Sequence, residues 1–343
     1  MDRLRVPGVF PGLLLLLLLG MTPAAVHATK YAGEFLSIGV GPRALGMGGA
    51  FVAVADDVTS GYWNPAGLAF LSRRAAMVMH SEQLAGLAYD YAAYAHPLPP
   101  GRRQAGVGVS VIRLGVDDIP LTRLPDPSQP IDAPLGNGQR NRPFVERYVS
   151  DAEYAVLLSF ASRVTPRLAF GGNLKIIRKS VGVAGALGAG LDASLLVRPA
   201  RGLSFGAQVM NLTTTVLAWD TGRKEYLNPL LKTGFAYERE VARLHGRVVV
   251  AADADVRFEG RHKTDAQSLG QASVSTHLGI EYVLQNTVAL RVGSEATGVT
   301  AGAGVRVPAV AVRRHRIVPG VEYAFVSHNA FGTIHRIAAF VEF

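Results

Sequence analysis

The sequence predicts an exported all-β protein: a transmembrane antiparallel β-barrel of about fourteen strands with an N-terminal lumen plug, or hatch. Three observations predict this fold: a secretory signal, long stretches of period-two alternation, and long connections on one side of the strands with short turns on the other. The composition agrees, since only 18% of the 343 residues are charged, against about 25% in soluble domains. The absence of Cys excludes disulfide scaffolds, thiol catalysis, cysteine-based metal centres and a lipidated N-terminal cysteine.

Residues 1–28 are predicted to be a cleaved signal peptide. Arg3 and Arg5 form a basic start, Leu13–Leu19 is an unbroken run of leucine, and Val26–Ala28 offers a small-residue cleavage site. The alternative is a membrane anchor, but glycines and prolines interrupt the apolar run short of the roughly 20 residues that a spanning helix needs. We therefore expect the mature protein to leave the cytoplasm.

The remaining chain alternates with a period of two residues. In the segment 247–259, every second residue from Val248 to Phe258 is apolar, and Asp253 and Asp255 lie on the opposite face. A soluble sandwich also alternates, but its strands average about 5–6 residues, whereas many here run about 9–12, the length of a tilted transmembrane strand. The predicted strands begin near Arg74, Gly86, Ala105, Ala152, Leu168, Ala186, Leu203, Leu230, Arg247, Ser273, Val288, Gly298, Ile317 and Thr333.

The connections between these strands fall into two sets. Three long loops are expected on the outer side of the membrane: Gly115–Asp151, Leu212–Pro229 and Gly260–Ala272. Short turns such as Arg163–Arg167, Arg198–Gly202 and Gln285–Thr287 are expected on the periplasmic side. This asymmetry is typical of outer-membrane barrels, so we expect the protein in the bacterial outer membrane. Outer-membrane lipid and the barrel-assembly machinery are the partners that this class implies.

The chain ends in a strand suited to close a barrel. An apolar face ends on a terminal aromatic residue, which is expected in the aromatic girdle at the membrane interface. The residues of this face are Ile337, Ala339, Val341 and Phe343. The alternative is an ordinary buried C-terminal strand.

Residues 29–70 differ in composition from the rest of the chain: they are rich in glycine and alanine and nearly free of period-two alternation. A barrel of about fourteen strands encloses a sizeable lumen, and glycines let a backbone approach a wall closely. We therefore predict that this segment folds inside the barrel formed by residues 71–343. The residues expected to form the plug or gate are Arg43, Met47, Gly48, Gly49, Trp63, Asn64, Pro65 and Gly67.

Two motifs in this segment carry a family resemblance. The motif Gly-x-Arg-Ala-Leu-Gly-Met-Gly-Gly-Ala-Phe-x-Ala-x-Ala-Asp-Asp spans residues 41–57, and Trp-Asn-Pro-Ala-Gly-Leu spans residues 63–68. Together they resemble the N-terminal signature of the PorV/PorQ family, relatives of the FadL outer-membrane transporters. Residues 322–325 and 332–337 resemble the last hairpin of that family. The resemblance implies a 14-stranded barrel with a hatch, in which Asn64-Pro65-Ala66 matches the FadL-type hatch motif.

The resemblance leaves two functions open. PorV/PorQ membership implies a part in protein secretion, with type IX cargo proteins received on the outer loops or in a laterally open lumen. The alternative is FadL-like passage of hydrophobic small molecules such as long-chain fatty acids, with the plug as gate. A transporter needs an apolar path to the plug and a lateral opening, whereas a cargo receptor needs a docking surface among its outer loops.

Charged residues on the predicted inner face are expected either to pair with the plug or to line a hydrated, polar lumen. They are Asp90, Asp192, Asp253, Asp255, Glu281, Arg291 and Arg336. Arginines concentrate in the short turns, which predicts either a plain solvated surface or a basic rim that attracts anionic headgroups or periplasmic partners. These arginines match no nucleic-acid reader, so no nucleic-acid partner is expected. They are Arg102, Arg103, Arg198, Arg201, Arg313, Arg314 and Arg316.

No enzymatic activity is predicted. Gly202–Gly206 matches the Gly-x-Ser-x-Gly nucleophile pattern, which needs a strained strand-to-helix turn, but here Ser204 opens an alternating stretch. An outer-membrane lipase is therefore the disfavoured alternative. The nine histidines show no metal-ligand spacing, and neither a metal nor another cofactor is expected.

Overall fold

The structure is a computed structural model that describes residues 33–83, 86–99, 101, 103–136, 138–258, 267–269, 272–296, 298–312, 315–328 and 332–343. The predicted signal peptide, the first residues of the predicted plug (29–32), and Arg102, Arg313 and Arg314 lie outside the described residues. Within the described part of the chain, we find no helix with the length and apolarity to span a membrane.

The described residues form one antiparallel sheet in which fourteen long strands close into a barrel and four short strands extend its edges. β1 closes the barrel by pairing with both β2 and β18. The strands are β1 (Ala75–Glu82), β2 (Ala88–Pro97), β3 (Ala105–Arg123), β4 (Phe144–Thr165), β5 (Leu168–Val181), β6 (Ala184–Ala200), β7 (Leu203–Met210), β8 (Thr215–Trp219), β9 (Lys224–Leu227), β10 (Leu230–Val241), β11 (Gly246–Arg257), β12 (Gln267–Leu269), β13 (Ala272–Leu284), β14 (Val288–Glu295), β15 (Gly298–Arg306), β16 (Val310–Val312), β17 (His315–His328) and β18 (Gly332–Glu342).

The predicted fold class is confirmed. All fourteen predicted strands are present, and each starts within two residues of its predicted position except β4. β4 begins at Phe144, because part of the predicted loop Gly115–Asp151 is strand rather than loop. β3 and β4 pair as far as Arg123↔Phe144, well beyond their pairing with β2 and β5. This two-stranded extension, residues 116–150, is termed the β3–β4 ribbon; it is largely exposed on both faces, so it lacks the alternation that reveals the other strands.

The two ends of the barrel differ. β1 begins and β18 ends at the same end, where Arg74 and Phe343 exchange backbone hydrogen bonds; this end, with its short turns, is termed the terminal rim. The opposite end, the long-loop rim, carries the β3–β4 ribbon and the β8–β9 hairpin. The tip of the ribbon is ordered by the buried side chain of Asn141, which donates to the carbonyls of Asp126 and Gln129.

Side chains alternate between the two faces of the wall. In β18, Ile337 and Ala339 are exposed on the outer face, with Val341 half-buried on the same face, whereas Arg336 is buried on the inner face. Phe343, directly after the strand, is also exposed. A stripe of exposed apolar side chains is the surface that a barrel presents to lipid.

Gly33–Leu71 lies inside the barrel and is termed the lumen segment. It contains two short α-helices, α1 (Pro42–Gly46) and α2 (Ser60–Trp63), and two 3-10 helices, Glu34–Ser37 and Pro65–Phe70. Nearly all its side chains are buried, in one hydrophobic core with inward residues of the wall. The segment starts against Leu227 of β9, near the long-loop rim, and ends at the terminal rim.

Candidate functional site

The interface between the lumen segment and the wall is the candidate site, and wall glycines bring the two backbones together. A Cβ on Gly171 of β5 would lie 2.6 Å from the carbonyl carbon of Pro65 and would overlap the nitrogen of Ala66. A Cβ on Gly206 of β7 would overlap the carbonyl of Val52. Real side chains do not approach this closely, so only glycine permits such contact between backbones. The segment therefore packs directly on the wall with no room for water at these points.

A buried ionic cluster fixes one side of the lumen segment. Arg43 of α1 donates to both carboxylate oxygens of Glu281 at 2.8 and 2.9 Å, and its third nitrogen contacts Asp56 and Asp57 at 2.5 and 3.1 Å. Arg291 of β14 donates to the same Glu281 at 2.7 Å. Bidentate, charge-assisted bonds of this kind combine strength with directional specificity. These five residues are termed the Arg43 cluster.

Further charged residues of the wall contact the Arg43 cluster. Arg291 also bonds Glu322 of β17 at 3.1 Å, and Arg247 of β11 lies 3.8 Å from Glu281. Burial alone would raise the pKa of Asp56, but the charge and hydrogen bond of Arg43 outweigh it, so this pKa lies below the usual value. Asp56 is therefore ionised at neutral pH. The ion pair between Arg43 and Glu281 joins the segment to β13.

The Asn64-Pro65-Ala66 turn fixes the opposite side of the segment. The Asn64 amide donates to the carbonyls of Val52 and of Leu195 in β6, at 2.8 and 3.0 Å. Its oxygen accepts from the Ala66 backbone at 3.1 Å, and Ser194 of β6 accepts from the same nitrogen at 3.0 Å. One buried asparagine thus joins the turn, the rest of the segment and the wall.

The other residues predicted for the plug lie within or against this interface. Trp63 is buried and donates to the carbonyl of Val40 at 2.9 Å. The carbonyl of Gly48 accepts from His277 of β13 at 2.7 Å, if that ring nitrogen carries the proton. Met47 is fully buried.

Three further plug residues shape the backbone itself. Gly49 has a φ of +78°, a conformation that favours glycine. Pro65 opens the second 3-10 helix, where its missing N–H costs nothing. Gly67 lies against the carbonyl of Ala55 with no space for a side chain.

Of the seven charges predicted to face the lumen, three bond the lumen segment directly. Glu281 binds Arg43, as described, and Asp253 accepts from the backbone nitrogens of Phe51 and Val52, both at 2.7 Å. Arg336 donates to the carbonyls of Ile38 and Gly39 at 3.2 and 3.1 Å.

Asp192, Asp255 and Arg291 also lie on the inner face but pair with other wall residues. Asp192 pairs with Lys175 at 3.0 Å and Asp255 with Lys232 at 2.6 Å. These pairs let charged side chains lie buried beneath the lumen segment, because each ion has a partner of opposite charge.

The prediction for Asp90 is wrong. Its side chain lies on the outer face, 40% exposed, and contacts His80 and Arg113 at 2.6 and 3.4 Å. The inner residues of β2 are Tyr89, Tyr91, Ala93 and Ala95. β2 faces an apolar part of the lumen segment, where the Tyr89 hydroxyl donates to the carbonyl of Phe35 at 3.3 Å. The rule that charged residues face the lumen therefore fails for this strand.

Sequence reasoning missed several inner-face residues. Asn173 of β5 donates to the carbonyl of Gly61 at 2.9 Å, and Lys175 also bonds Asn211. Both lie on the polar face of an alternating strand. Their positions in that alternation could therefore have identified them as inward-facing residues. Glu322 could have been found by the same test in β17.

The disfavoured chemistry finds no support in the structure. Ser204 lies in β7, two residues after the turn at Gly202, so it is not at a strand-to-helix turn. In the part of the chain that the structure describes, no group of three metal-ligating side chains converges.

The wall is low at β1 and β2, which have 8 and 10 residues. β1 pairs with β18 only as far as Ser81↔Arg336, and β2 pairs with β3 only as far as Ala88↔Gly115. Beyond these points, β18 continues along β17, and β3 continues along β4. This stretch of the long-loop rim is termed the low wall.

Two neighbouring grooves lie along the low wall. The outer groove, about 600 Å³, has a mostly apolar lining that includes Val78, Ala92, Val111, Val321 and Ala339. The rim groove, about 590 Å³, is lined by the inward residues Ser81 and Arg336. Both grooves contain His80 and Ile337. Arg336, which bonds the lumen segment, is among the residues that line the rim groove.

The fold and site define a class: a closed 14-strand barrel with a folded N-terminal segment packed in its lumen. Three solved structures are similar to this barrel in fold. The Ralstonia pickettii toluene transporter TbuX has a TM-score of 0.53 and 13% identity over 89% of this chain and 97% of that one. The Pseudomonas putida toluene transporter TodX has a TM-score of 0.50 and 14% identity, and the monoaromatic hydrocarbon channel CymD 0.50 and 13%, each over the same shares of both chains.

At these identities, the likeness shows the fold alone: the chain shares its barrel fold with these transporters and channels. No protein-family model matches the chain, and no curated protein matches it in sequence. The PorV/PorQ resemblance therefore stays a prediction.

Proposed function

We propose that this protein is a bacterial outer-membrane channel for hydrophobic small molecules, with the lumen segment as its gate. The observation that carries the proposal is the shared architecture, because nearly the whole length of the toluene transporter TbuX matches this barrel. The long-loop rim then faces the outside and the terminal rim the periplasm, as in outer-membrane barrels with long outer loops and short periplasmic turns.

The low wall supports the substrate class. A hydrophobic molecule partitions into the apolar outer groove because its removal from water is favourable, by about 25 cal/mol per Å² of apolar surface buried. It then meets the rim groove and the Phe35–Gly39 turn of the lumen segment, which Arg336 and Tyr89 hold in place. Displacing this turn alone would open the lumen while the Arg43 cluster and Asn64 keep the rest of the segment attached.

Uptake by whole cells tests this proposal. In a Gram-negative host that lacks its own hydrocarbon channels, expression of the protein should raise uptake of labelled toluene or oleate and leave sucrose uptake unchanged. Ala92→Trp with Ala339→Trp fills the outer groove and should reduce uptake to a small fraction. Ala189→Trp, an equally exposed outward position in β6, should leave uptake unchanged. Uptake equal to that of host cells without the protein, with the barrel folded, would exclude the proposed channel.

A second candidate function is the reception of secreted cargo proteins. The observation in its favour is the β3–β4 ribbon, which projects beyond the wall and exposes Phe144, Val145 and Tyr148. Deleting residues 124–143 at its tip separates the two candidates: a cargo receptor should lose bound cargo, whereas a channel for small molecules should keep its uptake.

A further inference from the structure

The terminal rim carries six exposed arginines that have no ion-pair partner among the described residues. Six of the seven points where the chain crosses this rim carry an exposed arginine, and only the Gln285–Thr287 turn carries none. Among the residues that the structure describes, none of the six has an ion-pair partner. They are Arg74, Arg103, Arg167, Arg201, Arg243 and Arg316.

Three arginines at the long-loop rim differ, because each of them contacts a carboxylate. Arg123 pairs with Glu146 at 3.1 Å, and Arg140 and Arg142 both pair with Asp132 at 2.9 Å. Among the residues that the structure describes, the terminal rim therefore carries more arginines without an ion-pair partner than the long-loop rim does. A one-sided distribution of this kind creates a field toward an anionic surface.

The position of these arginines identifies the surface. Outward aromatic residues, among them Phe170, Phe205 and Phe343, form a band near the terminal ends of the strands. Arg167 precedes Phe170 by three residues, about 10 Å along a strand at most. The headgroup layer of a leaflet extends about 5–8 Å beyond the hydrocarbon. The guanidinium groups therefore lie at the depth of lipid phosphates when the aromatic band lies at the membrane interface.

We propose that the terminal rim binds the phosphates of anionic phospholipids in the adjacent leaflet. Arginine suits this role because its planar guanidinium bonds phosphate oxygens in pairs and stays charged at all physiological pH values. Exposed apolar side chains in the same turns, such as Val164 and Leu244, anchor the rim in the layer beneath. The ring of contacts fixes the height of the barrel in the membrane.

Lipid retention tests the proposal. The full chain is purified into mixed micelles that contain equal amounts of phosphatidylglycerol and phosphatidylcholine, and retained lipids are identified by native mass spectrometry. We expect phosphatidylglycerol to be enriched. The triple variant Arg103→Gln, Arg167→Gln, Arg201→Gln should lower its binding about tenfold or more, and salt should weaken it.

A matched variant at the other rim controls for net charge. The triple variant Arg123→Gln, Arg140→Gln, Arg142→Gln also removes three positive charges. It should leave the enrichment of phosphatidylglycerol unchanged. Heat-modifiable mobility in electrophoresis confirms that each variant retains a folded barrel. Equal retention of the two lipids by the wild-type protein, or equal loss in both triple variants, would overturn the proposal. Binding of polyglutamate without enrichment of phosphatidylglycerol would also overturn it, in favour of an acidic protein partner.

Discussion

Replacing Arg43 with methionine should release one side of the lumen segment. Glu281 would keep Arg291, but Asp56 and Asp57 would lose the guanidinium that compensates their charge within the barrel. Removing one partner from a buried ion pair costs about 3–5 kcal/mol. We expect faster hydrogen exchange at the amides of α1 and open-channel currents in planar bilayers, because the segment then detaches from β13.

Arg123→Met is the control for this prediction, since Arg123 pairs with Glu146 on the exposed ribbon. Exposed pairs contribute about 0–1 kcal/mol, so exchange and current should match those of the wild type. If Arg43→Met also leaves both unchanged, the Arg43 cluster does not hold the segment.

Replacing Gly171 with alanine should push the Asn64-Pro65-Ala66 turn off the wall. The new methyl group would overlap the Ala66 backbone, which cannot rotate away as a side chain tip can. Overpacking of this kind costs about 1–3 kcal/mol. We expect weaker protection of the Ala66 amide against exchange and a lower urea midpoint.

Gly185→Ala provides a matched comparison in β6. The nearest atom to its new methyl group is an Asp220 oxygen at 3.7 Å, an ordinary van der Waals distance. This variant should behave as the wild type. Equal effects in the two variants would mean that the loss of glycine flexibility, rather than contact with the lumen segment, causes the change.

The strands were predictable because a barrel wall separates two environments. Lipid selects apolar residues on one face, so period-two alternation follows wherever the other face is polar, as around Asp253 and Asp255 in β11. Alternation fails where this contrast disappears. The β3–β4 ribbon is exposed on both faces, and β2 is apolar toward the lumen because Tyr89 and Tyr91 pack against the segment.

The candidate site was predictable in part. Parity within a strand identifies inward charges such as Glu281 and Arg336, but it does not show which of them meet the lumen segment. The partnership of Arg43 with Glu281 spans 238 residues, and it depends on how the segment enters the lumen. No local sequence pattern predicts the role of His277. Its contact with Gly48 also depends on how the segment enters the lumen.

Different contacts with the wall hold different parts of the lumen segment in place. The Arg43 cluster fixes α1 to β13 and β14, Asn64 fixes the turn to β6, and Asp253 binds the backbone between them. By contrast, Tyr89 and Arg336 hold the Phe35–Gly39 turn through carbonyl oxygens. Release of the Phe35–Gly39 turn from the wall therefore breaks fewer charged contacts than release of the other parts of the lumen segment.

Single-channel recording on a deletion variant tests the central claim most directly. The wild-type barrel and a variant without residues Thr29–Phe70, both refolded into planar bilayers, should differ sharply: the wild type closed or nearly so, the variant with large, stable current steps. Equal conductance of the two, with both barrels inserted, would contradict the claim that this segment fills and seals the lumen.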